Sequence, residues 1–260
     1  MPAAACGRLP GMAADLRVLQ GGTGSPLLVL LHGLGATGDV WSGWPGLLGR
    51  RWPGRWIAPD LPGHGGSAPL TRYTFDGLAA AVAELIPPDA PAVVLGHSLG
   101  GVVALALAAR RSTEVRGVVG LGIKVVWSDE DLRRARALAE RPRAWYSTRA
   151  EAAARYLRVA GLDGLLAADD PAVDAGLVRR DDRWRLALDP AAFGVGRPDM
   201  PGLLAGCPVP VVLARGVDDP MNTDEQLSAL DVPTATLAGV GHNAHVQDPE
   251  QTFALVEPFR

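Results

Sequence analysis

The 260-residue chain is 48% hydrophobic and 20% charged, enough apolar side chain for one sizeable core, which excludes a globally disordered chain. A formal net charge of −3 supplies no basic field for nucleic acid and no polybasic run for anionic lipid. The two cysteines, Cys6 and Cys207, stand far apart, give neither a disulfide framework nor a zinc signature, and fit a reducing compartment.

Residues 1–16 lack the apolar core of a secretory signal, and the stretch around Cys6 reads as loose. No run approaches the roughly 18 apolar residues of a membrane span. The expectation is a soluble cytoplasmic protein, a monomer or a homodimer. Leu16–Leu19 reads as a short first strand. Leu27–Leu31 (LLVLL) is a continuous apolar run, the pattern of a parallel strand covered on both faces. Arg55–Pro59 is a weaker strand ending at Asp60. Tyr73–Ile86 has helical spacing and stops at Pro87-Pro88. Ala92–Leu95 is a second buried strand that runs through Gly96-His97-Ser98 into an alanine-rich helix, Val102–Ala109. Val115–Ile123 is the next strand.

Between residues 124 and 205 the character changes. The stretch from Glu130 to Ala160 is charged and helical, and no buried strand pattern appears between Gly161 and Pro201. Val209–Leu213 resumes the buried-strand pattern, Thr234–Leu237 is a last strand, and Pro249–Val256 reads as a closing helix. Strands alternating with helices predict a doubly wound, mostly parallel α/β sheet. The core is expected over 1–123 and 206–260, with 124–205 inserted as a helical cap.

The chemistry concentrates at Gly96-His97-Ser98-Leu99-Gly100, with Gly101 next. A tight strand-to-helix turn strains the central residue and needs small neighbours two positions away. The Ser98 oxygen would then project from the sheet edge beside the free amides of a helix start. A hydroxyl needs a base to attack at neutral pH. His242, in Gly239-Val240-Gly241-His242-Asn243, is the best candidate, and His245 is its rival. The base needs an orienting carboxylate. Asp219 follows the Val209–Leu213 strand; adjacent Asp218 is an alternative, and Asp129 and Glu130 after the Val115–Ile123 strand are another. The order Ser98, Asp219, His242 is the one expected for this architecture. The oxyanion would rest on the backbone amides of Leu99 and Leu34. His32 and His64 read as structural. Trp127, Trp145, Tyr146, Trp184, Phe193 and Met221 are candidates for a substrate pocket. Lys124, the only lysine, stands at a strand end near the site.

LLHGLG (30–35), DLPGHGGS (60–67), GHSLGG (96–101), GVDDP (216–220) and GVGHNAHVQDPE (239–250) together resemble the α/β-hydrolase superfamily, within it the capped serine esterase and C–C bond hydrolase branch. The resemblance covers most of the chain and implies the α/β-hydrolase fold. It implies that the second aspartate of the Gly-x-x-Asp loop, Asp219, is the triad acid. It also implies that Ser98, where epoxide hydrolases and haloalkane dehalogenases carry aspartate, sets this chain apart from both. The expected function is acyl-enzyme hydrolysis of a small carbonyl substrate, a carboxylic ester first, with no cofactor and no metal. C–C bond hydrolysis, acyl transfer or cyclisation by the same triad is the alternative, and a ligand-binding receptor-like protein is the alternative from another class. One fold hosts many chemistries, so the substrate is not named by these motifs.

Overall fold

The computed structural model describes residues 5–8 and 15–260. Its elements, in chain order, begin with β1 (Ala5–Arg8), β2 (Arg17–Gly21), β3 (Leu27–Leu31), α1 (Pro45–Arg51), β4 (Trp56–Pro59) and α2 (Phe75–Ala83). The next are β5 (Ala92–His97), α3 (Leu99–Arg110), β6 (Val115–Leu121), α4 (Asp129–Ala139), α5 (Arg149–Ala160) and α6 (Pro171–Asp174). The hairpin β7 (Leu177–Arg180) and β8 (Arg183–Leu186) follows, then α7 (Met200–Ala205), β9 (Val211–Gly216), α8 (Asp224–Ser228), β10 (Thr234–Leu237), α9 (Ala244–Gln247) and α10 (Pro249–Phe253).

Eight strands form the main sheet in the order β1-β2-β4-β3-β5-β6-β9-β10. β1 and β2 run antiparallel, and the pairings from β4 to β10 are parallel. The reason is legible in β3, whose five residues are all buried. Successive side chains of a strand point to opposite faces. Leu27, Val29 and Leu31 accordingly enter one core with α2 and α3, through Leu78, Val82, Val103 and Leu107. Leu28 and Leu30 enter a second core with Trp41, Trp44, Leu48 and Phe253. Burying each such leucine contributes about 2 kcal/mol, so a strand apolar on both faces is held only between two helical layers.

From β3 the chain first adds β4 on one side, then returns to place β5 on the other. That reversal opens a crevice at the carboxyl ends of β3 and β5, the place where open α/β sheets gather reacting groups.

Three features differ from the expectations above. Ala5–Arg8 is a strand paired with β2, where the sequence reads as loose; the Cys6 side chain lies outside the described residues. Residues 130–160 form two helices, α4 and α5, each opened by a capping box at Ser128 or Thr148. The 161–201 stretch holds the hairpin β7–β8, turned by Asp181 and Asp182 at φ 48° and 60°. No described helix is long and apolar enough to cross a membrane.

Candidate active site

Ser98 stands between β5 and α3 with φ 51° and ψ −114°, a conformation L-residues rarely adopt. Two constraints impose it. Its own amide donates to Leu121 O at 2.7 Å, tying the turn to β6. The backbone before and after it is crowded, because an added Cβ on Gly96 would collide with the Gly100 carbonyl. Strain of this kind costs about 1–3 kcal/mol and persists only where its surroundings fix it. The half-buried serine therefore projects at the start of a 12-residue helix, where backbone amides lack intrahelical partners.

Asp219 ends the loop after β9 and is buried, 2% exposed, whereas Asp218 points to solvent. Both Asp219 carboxylate oxygens lie 3.1 Å from His242 Nδ1. One oxygen also accepts from the Met221 amide at 2.9 Å. A carboxylate facing Nδ1 fixes the proton there and leaves Nε2 as the basic nitrogen. The pair closes against Gly122, at φ 63°, where a Cβ would come within 3.2 Å of both the carboxylate and the imidazole. Of the two adjacent aspartates, only Asp219 meets the imidazole, and Asp129, the other candidate, is instead the first residue of α4.

The His242 ring packs on His97, with centroids 4.6 Å apart, and His97 is the residue before Ser98. His97 Nε2 lies 2.9 Å from the His242 carbonyl, so that nitrogen carries the proton and donates. Burial first, then His245 and His242, hold His97 well below its ordinary pKa and keep it neutral. None of the described hydrogen bonds joins Ser98 Oγ to His242; such contacts are commonly long until substrate is bound. His245, the rival base, is 1% exposed between Trp41 and His97, each ring 4.4 Å away. Burial pushes its pKa down to about 3, and neither ring nitrogen has a partner among the described residues. It cannot exchange protons with a substrate from there.

Leu34 lies in the turn after β3, and Leu99 is the first residue of α3. Their amides take no part in the described hydrogen bonds. The turn is fixed by His32, which donates from Nδ1 to Gly33 O at 2.8 Å and accepts the Leu61 amide at Nε2, also at 2.8 Å. Gly33 packs so closely that an added Cβ would lie 3.3 Å from Ser98 Cβ. His64 is buried edge-on to His32, and burial lowers its pKa to about 3.

The pocket candidates divide. Tyr146 and Phe193 line a cavity of about 420 Å³ built by residues between Leu138 and Phe193. Trp127 instead donates to Lys124 O, and Lys124 pairs with Asp131 at 2.9 Å. Trp145 lies under Arg183 and Arg185, Trp184 under Arg179, and Met221 is exposed beside the acid loop. Sequence reasoning missed three supports. Buried Arg215 donates to the Asp219 carbonyl at 3.2 Å, and its charge at the end of an apolar strand was the available signal. Asn243 ties the base loop to Gly161 O at 2.8 Å, and Asn222 ties the acid loop to the Val125 amide at 3.0 Å. Asn222 reads in sequence only as a pocket candidate beside the acid loop, and Asn243 does not stand out.

The sequence model described as the Alpha/beta hydrolase family matches residues 28–255. Lipase LipV of Mycobacterium tuberculosis is 35% identical over 70% of this chain and 67% of its own length. A pimeloyl-[acyl-carrier protein] methyl ester esterase of Neisseria meningitidis is 47% identical, but the match spans 34% of this chain and only 33% of that protein. The solved structure of E-2-(acetamidomethylene)succinate hydrolase superposes with a TM-score of 0.84 over 99% of both chains at 24% identity, a likeness of fold.

Proposed function

Because the chain belongs to the alpha/beta hydrolase family, we propose that it hydrolyses a small carboxylic ester through a Ser98–His242–Asp219 triad. The observation that carries this reading is the buried Asp219 carboxylate on His242 Nδ1, with that imidazole packed against the residue before a strained serine. His242 Nε2 takes the Ser98 proton as Oγ attacks the carbonyl carbon. The carbonyl electron pair moves onto oxygen, which rests on the Leu34 and Leu99 amides. As the tetrahedral intermediate collapses, its C–O bond to the leaving group breaks and His242 returns the proton to the departing alkoxide. Water then gives a proton to His242 and attacks the acyl-enzyme. Collapse releases the acid and restores the Ser98 hydroxyl. The chemistry uses only these groups. In this reading residues 124–205 form a cap over the 1–123 and 206–260 core, with Asn222 and Asn243 joining the catalytic loops to it.

The test is turnover of p-nitrophenyl butyrate together with labelling by a fluorophosphonate. Ser98→Ala is expected to lower kcat by about 10⁴-fold or more and to abolish labelling. Undiminished turnover by purified Ser98→Ala protein overturns the assignment.

A further inference from the structure

The cavity of about 420 Å³ between Leu138 and Phe193 has an unusual lining for a chain of net negative charge. Among the described residues five arginines line it, Arg141, Arg143, Arg155, Arg158 and Arg185, and no acidic side chain does. Arg155, Arg158 and Val159 stand at i, i+3 and i+4 on α5 and so share one face. Arg185 comes from β8, and Arg141 and Arg143 from the loop after α4, so three separate segments converge their charge.

Little of that charge is neutralised within the protein. Arg143 pairs with Asp189 at 3.4 Å, and Asp189 also accepts from Tyr73. Arg158 and Arg185 each spend one donor on a carbonyl, of Ala154 and Leu186. Arg141 and Arg155 have no acidic partner among the described residues. Burial chiefly, and then the neighbouring Arg143 and Arg180, hold the Arg185 guanidinium below its ordinary pKa. Guanidinium groups in a fork geometry match carboxylate and phosphate oxygens.

The same cavity is also lined by apolar side chains: Val159, Leu186, Leu188 and Phe193. Val159 touches the loop that carries the Leu34 amide, since a Cβ on Gly35 would lie 2.6 Å from Val159 Cγ1. We propose that this cavity holds the anionic head, a carboxylate or a phosphate, of a substrate whose acyl chain packs on the apolar lining and runs past Val159 toward the Leu34 loop. Its role as a substrate subsite rests on the hydrolase reading above; the anion binding itself does not. A concavity of this volume fits a small amphiphile better than a flat protein surface.

The test uses Ser98→Ala protein and isothermal titration calorimetry with three probes: monomethyl adipate, hexyl phosphate and neutral methyl hexanoate. At least one anion is expected to bind tenfold or more tightly than methyl hexanoate, and 0.5 M NaCl should weaken that preference. Adding Arg141→Met and Arg155→Met should remove it; neither arginine has a described acidic partner, so the fold should survive, as a thermal melt will check. The tighter of the two anions identifies the head. Equal affinities, a preference that persists without these arginines, or no binding of either anion, as when the arginines serve an acidic protein, overturns the proposal. In the Ser98 protein, kcat/KM for monomethyl adipate should exceed that for methyl hexanoate by the same factor. Anion binding without turnover of either ester would support the cavity's ligand class and sink the hydrolase reading.

Discussion

The two neighbouring aspartates of the acid loop differ in what surrounds them. Asp218 is exposed, whereas Asp219 is buried with both oxygens on His242 Nδ1. Asp219→Asn keeps the shape but offers an amide that can hold the imidazole in the wrong tautomer. Ester turnover should fall by about 10³–10⁴-fold, whereas Asp218→Asn should stay within about twofold of the parent. Equal losses in the two variants would reassign the acid. His97 gives a second residue-level prediction. His97→Leu would remove the donor to the His242 carbonyl and leave that oxygen unpaired near the site. A loss of about 1–3 kcal/mol in urea unfolding is expected. The chain order and the loop pattern pointed to the two loops that the structure brings together at Asp219 and His242. Family resemblance favours Asp219 over Asp218, and position favours His242 over His245; the physical difference within each pair, burial and direction, appears only in the fold.

Elements were legible where one local rule decided them. β3, β5 and β6 are apolar on both faces, so their runs announce buried parallel strands, and the structure holds them at Leu27–Leu31, Ala92–His97 and Val115–Leu121. The hairpin β7–β8 stayed hidden because its strands are short and arginine-rich and only half-covered. Its one signal was Asp181-Asp182, a two-residue turn that requires left-handed backbone at both positions. β1 is held by pairing with β2, and α1 carries two glycines and a proline, so neither has a strong periodic pattern. Glycine separates structural requirement from tolerance within this framework. Gly100 in α3 passes so close to β3 that a Cβ would lie 2.5 Å from Leu31 O. Backbone cannot yield there, and Gly100→Ala should destabilise by more than about 3 kcal/mol or prevent folding. Gly49 in α1 faces open space. Gly49→Ala should therefore stabilise, by about 0.5–1 kcal/mol, through helix propensity alone. Thermal melts of the two variants moving in the same direction would contradict this account of the packing.

Across the whole molecule, histidine placement sets an acid limit. Four of the five histidines, His32, His64, His97 and His245, are buried. Burial lowers His32 to about 4 and His64 and His245 to about 3, and His97 moves the same way. In the unfolded chain each titrates near 6.5. Above that pH both states are neutral at these sites, and stability is fully present. Below it the unfolded chain binds protons that the native state refuses, so stability falls with pH until the native groups titrate too. Each histidine adds a slope of about 1.4 kcal/mol per pH unit within that window, and net stabilities are only about 5–15 kcal/mol. The protein should keep a flat melting temperature above pH 7, lose it steeply below 6.5, and unfold at room temperature before pH 4. His245 isolates the effect, since its ring nitrogens have no partners among the described residues to lose. His245→Leu keeps a similar volume between Trp41 and His97 and removes one of the four titrations. Its melting temperature relative to the parent should rise progressively from pH 7.5 to pH 5. An unchanged difference across that range would mean that the buried imidazole does not set the acid limit.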